Sequence, residues 1–219
     1  MYLKFINMRR NKIAMIFGIT GQDGSYLSHY LLKKKFKVIG ITRSKKKKNL
    51  ENLNRFSIVK KIKLIKINSL NQKKIDKIIR KNNPTQIYYL AGQSSVSYSF
   101  IDPIEAYLSN NEVLFYILET IRKQKKKIQI YNSVSSECFG NQKNPVCSEK
   151  SNFNPVSPYG KSKALSYWLS KYYRENYRLN VSNGILFNHE SILRNKSFVT
   201  KKIINYYNTY EKDKKKNLY

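Results

Sequence analysis

The chain has 219 residues with 43 Lys and Arg against 13 Asp and Glu, a formal charge of +30, and 41% hydrophobic residues. That length supports one domain with a full core and excludes two domains of ordinary size. The lysines are spread over every exposed segment and form no stripe interleaved with aromatics, so the charge argues against a dedicated nucleic-acid surface; Lys, Asn, Ile and Tyr are abundant together, as A/T-rich codons produce.

Residues 12–17 form an apolar run that reads as a buried first strand. Gly18, Gly21 and Gly24 follow at three-residue spacing, and Tyr26, Leu27, Tyr30, Leu31 and Leu32 continue at helical spacing. A strand, glycine turn and helix in this order gather main-chain N–H groups and the positive end of a helix dipole around one point, which suits a pyrophosphate. An ordinary tight turn is the plain alternative. Gly18, Thr20, Gly21, Gln22, Asp23 and Gly24 are the cofactor-binding candidates of this turn. Residues 37–42 read as the second strand, ending at Arg43. An acidic residue at that place accepts from a free ribose 2′-hydroxyl, whereas a guanidinium favours a 2′-phosphate, so NADP is expected over NAD. Alternatively, Arg43 is one more member of the basic run at residues 45–48.

Residues 62–67 alternate Lys with Ile or Leu, as in a third strand with a solvated face, and Ile75, Ile78 and Ile79 mark a helix ending before Pro84. Residues 86–91 read as a fourth strand carrying Leu90 and Ala91 into a small polar loop of Gly92, Gln93, Ser94 and Ser95. Ligands collect at such strand C-termini in open α/β sheets. A helix starting at Pro103 carries Leu114, Phe115, Leu118 and Ile121, and the basic residues 123–127 read as a solvated turn. Residues 128–132 form a fifth strand leading into Ser133-Val134-Ser135-Ser136-Glu137.

Ser157-Pro158-Tyr159-Gly160-Lys161-Ser162-Lys163 opens a helix in which Tyr159 and Lys163 share one face. An ammonium close to a phenol favours the phenolate and makes a usable general base; packing by Tyr159, Tyr167 and Trp168 is the alternative. Residues 181–187 form a sixth strand followed by Asn188, His189, Glu190 and Ser191 at the ligand-binding edge. A last amphipathic helix is expected over residues 198–210, then a charged tail over 212–219. The alternation of strands and helices predicts an α/β fold with a Rossmann-like, doubly wound parallel sheet. Cys138 and Cys147 make neither a disulfide framework nor a metal motif, and no apolar stretch reaches the length of a membrane span. Residues 1–6 are too short for a signal segment and Met8 offers an alternative start, so a cytoplasmic protein without bound metal is expected.

In this order the pieces resemble the extended short-chain dehydrogenase/reductases and, within them, the GDP-mannose 4,6-dehydratase family. The narrower marks are Gly18-Ile-Thr-Gly-Gln-Asp-Gly-Ser-Tyr-Leu27, Ala91-Gly92-Gln93-Ser94, Ser135-Ser136-Glu137, Ser157-Pro-Tyr-Gly160 and Asn183-Gly-Ile-Leu-Phe-Asn-His-Glu-Ser191. Sugar-nucleotide epimerases usually lack both the Gln-Asp of the glycine turn and a Glu at the position of Glu137. The resemblance implies dehydration of GDP-mannose to GDP-4-keto-6-deoxymannose with NADP as internal hydride carrier. Tyr159 takes the proton of the hexose 4-hydroxyl, and Lys163 holds the nicotinamide ribose. Ser135 stands where the family carries Thr and binds the sugar 4-oxygen, while Glu137 removes the C5 proton and helps expel the 6-hydroxyl. It further implies cofactor contacts at Asn68, Leu90, Ala91, Gly92, Gln93, Ser94, His189 and Arg194, substrate contacts at Ser94, Ser135, Glu137 and Asn188, and a homo-oligomer.

Departures are specific. Asn68 replaces the family's Asp on the adenine, Ser95 replaces its His, and the serine-rich loop after the second strand is reduced to Ser44 and lysines. After Ser191 the family's Pro-Arg-Arg-Gly becomes Ile192-Leu193-Arg194-Asn195. Residues 1–191 are then an NAD(P)-binding Rossmann domain, and 192–219 the start of a substrate-binding region that continues in the family well beyond Tyr219. A non-catalytic remnant that keeps only the cofactor-binding fold is the alternative function.

Overall fold

The computed structural model describes residues 12–67, 71–142 and 146–216, with side chains described through Tyr210. The first strand, β1 (Ile13–Phe17), buries its last four residues, and it is apolar throughout because a central parallel strand has helices on both faces. Helix α1 (Gln22–Lys33) leads to β2 (Lys37–Thr42). A 3-10 turn at Lys47–Leu50 runs into the short α2 (Glu51–Arg55), and a second at Val59–Lys61 precedes β3 (Lys63–Lys66). Next come α3 (Gln72–Asn82), β4 (Gln86–Tyr89), α4 (Val96–Ile101) and α5 (Pro103–Gln124). A seven-residue β5 (Gln129–Ser135), a 3-10 turn at Ser136–Cys138, α6 (Pro158–Tyr177) and β6 (Val181–Leu186) follow.

The sheet has the order β3-β2-β1-β4-β5-β6 and every pairing is parallel. This is the doubly wound arrangement, in which the chain reverses its winding between β1 and β4 and opens a crevice at the strands' C-terminal ends. Period-two alternation divides the core. Met15, Phe17, Ile39, Ile41, Ile87 and Tyr89 point to one side with Ile75 and Ile79 of α3, Leu114, Ile117, Leu118 and Ile121 of α5, and Tyr173 of α6. Ala14, Ile16 and Val38 point to the other with Leu31 of α1 and Leu53 of α2.

Local chemistry sets the helix limits. Asp102 accepts from the Glu105 N–H at 2.9 Å with Pro103 in the first helical position of α5, a cap and a pre-set φ acting together. The expected stop before Pro84 is made by Asn83 in the left-handed region at φ 42°, and α5 runs through Gln124 before Lys125 ends it in the same conformation. β4 is shorter than expected, so Leu90 and Ala91 lie beyond it, with the Leu90 N–H donating to Phe17 O at 3.0 Å as the last sheet bond. β5 is longer than expected and carries Ser133, Val134 and Ser135 as sheet residues.

Residues from Asn188 onward form a second compact unit. Within it Arg194 pairs with Glu190 at 3.3 Å and lies 3.8 Å from the Phe198 ring centroid, ahead of α7 (Val199–Lys216). Cys138 and Cys147 are both free thiols. No helix among the described residues is long and apolar enough to cross a membrane.

Gly24 is where the glycine turn and α1 touch. A Cβ there would collide with the Gly18 carbonyl oxygen and stand 2.7 Å from Ile19 Cα. Helix propensity alone would make Gly24→Ala stabilising by about 1 kcal/mol. The variant is instead expected to lose roughly 1–3 kcal/mol through overpacking, read from the urea midpoint; a gain in stability would refute the close approach.

Candidate active site

Three chain reversals meet at the C-terminal edge of the sheet. After β1, Gly18 adopts φ 81°, and a Cβ on it would stand 2.6 Å from Leu90 O and 2.8 Å from Ala91 N, so the glycine turn lies directly against the loop that follows β4. The Gly21 N–H donates to Gly18 O at 3.1 Å. Gly21 holds the N-cap position of α1; among the described residues no side chain caps the helix, and a Cβ on Gly21 would meet only Gly18 O, at 3.3 Å. An uncapped helix start beneath a residue with open space above it is a cradle for an anionic group. Residues 18–24 therefore fit a dinucleotide's pyrophosphate. Arg43 is exposed at the end of β2, one residue past Thr42, whose hydroxyl donates to Ser44 O at 2.9 Å. The loop after β4 contributes Gln93, whose buried Oε1 has no hydrogen-bond partner among the described residues while its Nε2 donates to Ser95 O at 2.6 Å.

The third reversal, from β5 through its 3-10 turn to α6, assembles the chemical groups. Ser135 ends β5, and its hydroxyl accepts from the Glu137 N–H at 3.2 Å. The first turn of α6 packs straight onto that turn: a Cβ at Gly160 would stand 2.6 Å from the Glu137 carbonyl oxygen. Ser157 caps α6 by accepting from the Gly160 N–H at 3.0 Å. These two contacts bring Tyr159 to the same junction as Ser135 and Glu137. One turn on, the Lys163 ammonium donates to Ser133 O at 2.9 Å and lies 5.9 Å from the Tyr159 ring centroid. Lys163 is buried and its pKa is pushed down to about 8, because desolvation disfavours the ammonium. The Cys138 thiol, in the 3-10 turn after β5, is pushed up to about 11 by burial.

The four residues read as catalytic, Ser135, Glu137, Tyr159 and Lys163, thus share one junction, and the cofactor candidates at 18–24 and 90–94 lie along the same sheet edge. Asn68 lies outside the described residues. Asn188, His189 and Arg194 belong to the second unit. Sequence reading overlooked a buried polar seam that seats α6. Asn132 Nδ2 donates to Ser166 O at 3.3 Å, to Ser170 Oγ at 3.2 Å and to Asn183 Oδ1 at 3.0 Å. Asn110 Nδ2 donates to Gln93 O at 3.1 Å and Ser162 Oγ at 3.3 Å. The available signal was Ser162, Ser166 and Ser170 at four-residue spacing along α6.

A model of the family described as GDP-mannose 4,6 dehydratase matches residues 15–219. The GDP-mannose 4,6 dehydratase of Dictyostelium discoideum is 39% identical over 210 residues, covering 88% of this chain and 56% of that protein. The Vibrio cholerae enzyme of the same name is 37% identical over 204 residues, covering 88% and 53%. The chain therefore spans about half the length of these relatives. Among solved structures, dTDP-glucose 4,6-dehydratase of Bacillus anthracis, determined with NAD, matches at a TM-score of 0.75 and 21% identity over 89% of this chain and 60% of its own. UDP-glucuronic acid 4-epimerase of Bacillus cereus, determined with UDP-glucuronic acid and NAD, matches at 0.76 and 20% identity over 88% and 62%. At those identities the likeness speaks to the fold alone.

The Lys163 ammonium gives a pH signature. Its ordinary pKa of 10.5 falls to about 8 on folding, so the unfolded chain binds the proton more tightly. Below pH 8 burial of the charge opposes folding by up to about 3 kcal/mol. That penalty disappears as pH rises from about 8 to 10.5. Lys163→Met is expected to raise Tm at pH 7 and to lose this advantage by pH 10.5, measured by calorimetry across that range; a pH-independent difference would refute the shift.

Proposed function

Because the chain belongs to the GDP-mannose 4,6-dehydratase family, we propose that it carries out NADP-dependent dehydration of GDP-mannose to GDP-4-keto-6-deoxymannose. The observation that carries this reading is the junction of β5 and α6, where Ser135, Glu137, Tyr159 and Lys163 come together. Residues 18–24 and 90–94 would hold the dinucleotide and Arg43 its 2′-phosphate; bound there, NADP supplies a reversible hydride acceptor. Tyr159 accepts the proton of the sugar 4-hydroxyl, and Ser135 donates a hydrogen bond to the same oxygen. The ketone that results acidifies the neighbouring C5–H. Glu137, half-buried in the turn after β5, takes that proton and returns it to the departing 6-hydroxyl, which leaves as water. Loss of water leaves a C5–C6 double bond, which would take the hydride back at C6 and, at C5, a proton equivalent to the one Tyr159 accepted from the 4-hydroxyl, so that hydride and protons balance and only water is lost. Lys163, tethered to Ser133 O and near the Tyr159 ring, favours the phenolate while it is protonated.

The outward faces of α5 and α6 support pairing with a second copy of the chain. Ile104, Leu108 and Phe115 on α5, with Leu165, Trp168 and Tyr172 on α6, are exposed large hydrophobics at helical spacing, and side-by-side apolar stripes of this kind mark association surfaces.

Incubating the chain with NADP and GDP-mannose is expected to yield a sugar nucleotide lighter by one water in the mass spectrum. Glu137→Gln is expected to slow that reaction roughly 10²–10⁴-fold while NADPH still raises Tm; unchanged turnover would remove Glu137 from the chemistry. Wild-type chain that is stabilised by NADPH yet forms no product would favour the alternative of a cofactor-binding remnant. Leu165→Glu is expected to shift the chain from dimer to monomer in light scattering.

A further inference from the structure

The main chain of Tyr159 is held by another element. Tyr159 sits in the first turn of α6, where N–H groups have no helical acceptor. The Gly160 N–H uses the helix's own cap, Ser157. The Tyr159 N–H instead donates to the hydroxyl of Ser99 on α4, at 3.1 Å. Ser99 is fully buried, and its own proton goes to Val96 O at 2.6 Å, which fixes the oxygen's direction. Helix α4 grows directly from the loop after β4. Ser95 caps it by accepting from the Tyr98 N–H at 3.2 Å, and Gln93 Nε2 donates to Ser95 O at 2.6 Å. On the other side of Tyr159, the Ser162 hydroxyl donates to Tyr159 O at 2.8 Å. Both polar groups of the Tyr159 main chain are therefore tied by buried serines, and the Ser99 tie leads back to the loop that holds Gly92, Gln93 and Ser94.

We propose that Ser99 is a positioning residue that sets the place of the Tyr159 phenol relative to the loop after β4, an inference that rests on the assignment of Tyr159 as general base. The bonds of Lys163 and Asn132 hold α6 against β5 and by themselves leave its first turn untied to α4. An anchor on α4 removes that freedom, because any shift of Tyr159 against residues 92–95 breaks the bond to Ser99 and strands a buried N–H. Proton transfer depends on sub-ångström placement, and misplacing a reactive group by about 1 Å costs on the order of a hundredfold in rate.

The test compares Ser99→Ala with Ser157→Ala, since each removes one side-chain acceptor from the first turn of α6. Amide hydrogen exchange on the chain without cofactor is expected to rise at least about tenfold at Tyr159 and through residues 92–98 in Ser99→Ala. In Ser157→Ala it should rise at Gly160 and not in residues 92–98. In turnover, Ser99→Ala is expected to lose roughly tenfold to a hundredfold in kcat with KM for GDP-mannose unchanged, and Ser99→Thr, which restores the hydroxyl, to recover it. If both alanine variants behave alike in exchange, Ser99 is a packing residue and the proposal is overturned. If the wild-type chain turns over no GDP-mannose, the dehydratase reading falls, and the exchange comparison alone decides the coupling of α4 to Tyr159.

Discussion

One hydrogen bond carries much of the design: the buried Lys163 ammonium donating to the carbonyl of Ser133. Taking an ammonium out of water is costly, and a single neutral acceptor compensates only part of that cost. The remainder appears as the depressed pKa. A residue kept under such strain constrains its neighbours, because the helix that bears it cannot move away from β5 without stranding the charge. α6 is accordingly fixed along the first four turns of its inward face. Its first turn rests on the Glu137 carbonyl through Gly160, its second is tethered by Lys163, and its third and fourth are bonded by Asn132 to Ser166 and Ser170.

The small side chains of that face follow from the same requirement. Ser162, Ser166 and Ser170 are fully buried, which is uncommon for serine unless a partner is supplied. Larger apolar residues would hold α6 further from β5 and lengthen the Lys163 bond. Serine keeps the helix close, and its hydroxyl satisfies itself on the preceding turn, as Ser166 does on Lys163 O at 2.8 Å. Close packing and a polar interior are thus one solution rather than two.

Much of this was legible beforehand, because the strongest signals are physical necessities. A central parallel strand must be apolar on both faces, and residues 13–17 are. A strand that turns into a helix over a phosphate cradle needs glycine where side chains would collide, and Gly18 and Gly24 show the collisions directly. Helical spacing puts Tyr159 and Lys163 on one face, and the ammonium lies 5.9 Å from the ring centroid. The shortest elements leave no such signal. α2 and α4 have five and six residues, too short to show a period, and exist because tertiary contacts hold them. Ser99 carried no signal, since one serine among many is defined only by the amide it faces. By sequence β5 ends at Asn132 because Ser133 and Ser135 read as loop residues, yet in the sheet Ser133, Val134 and Ser135 pair with Gly184, Ile185 and Leu186 of β6.

Trp168 is the only tryptophan in the chain, alongside 18 tyrosines. It is half exposed on α6, with Tyr167 at 5.3 Å and Phe153 at 6.1 Å on one side and the Lys171 ammonium 5.1 Å from its ring. Its emission therefore originates at a single, known place on the outer face of the helix that also bears Tyr159 and Lys163. Tyrosines across the domain can hand excitation to it, a cation beside the indole tunes its colour, and water reaches it from outside. The protein carries its own optical label for whatever comes to cover that face.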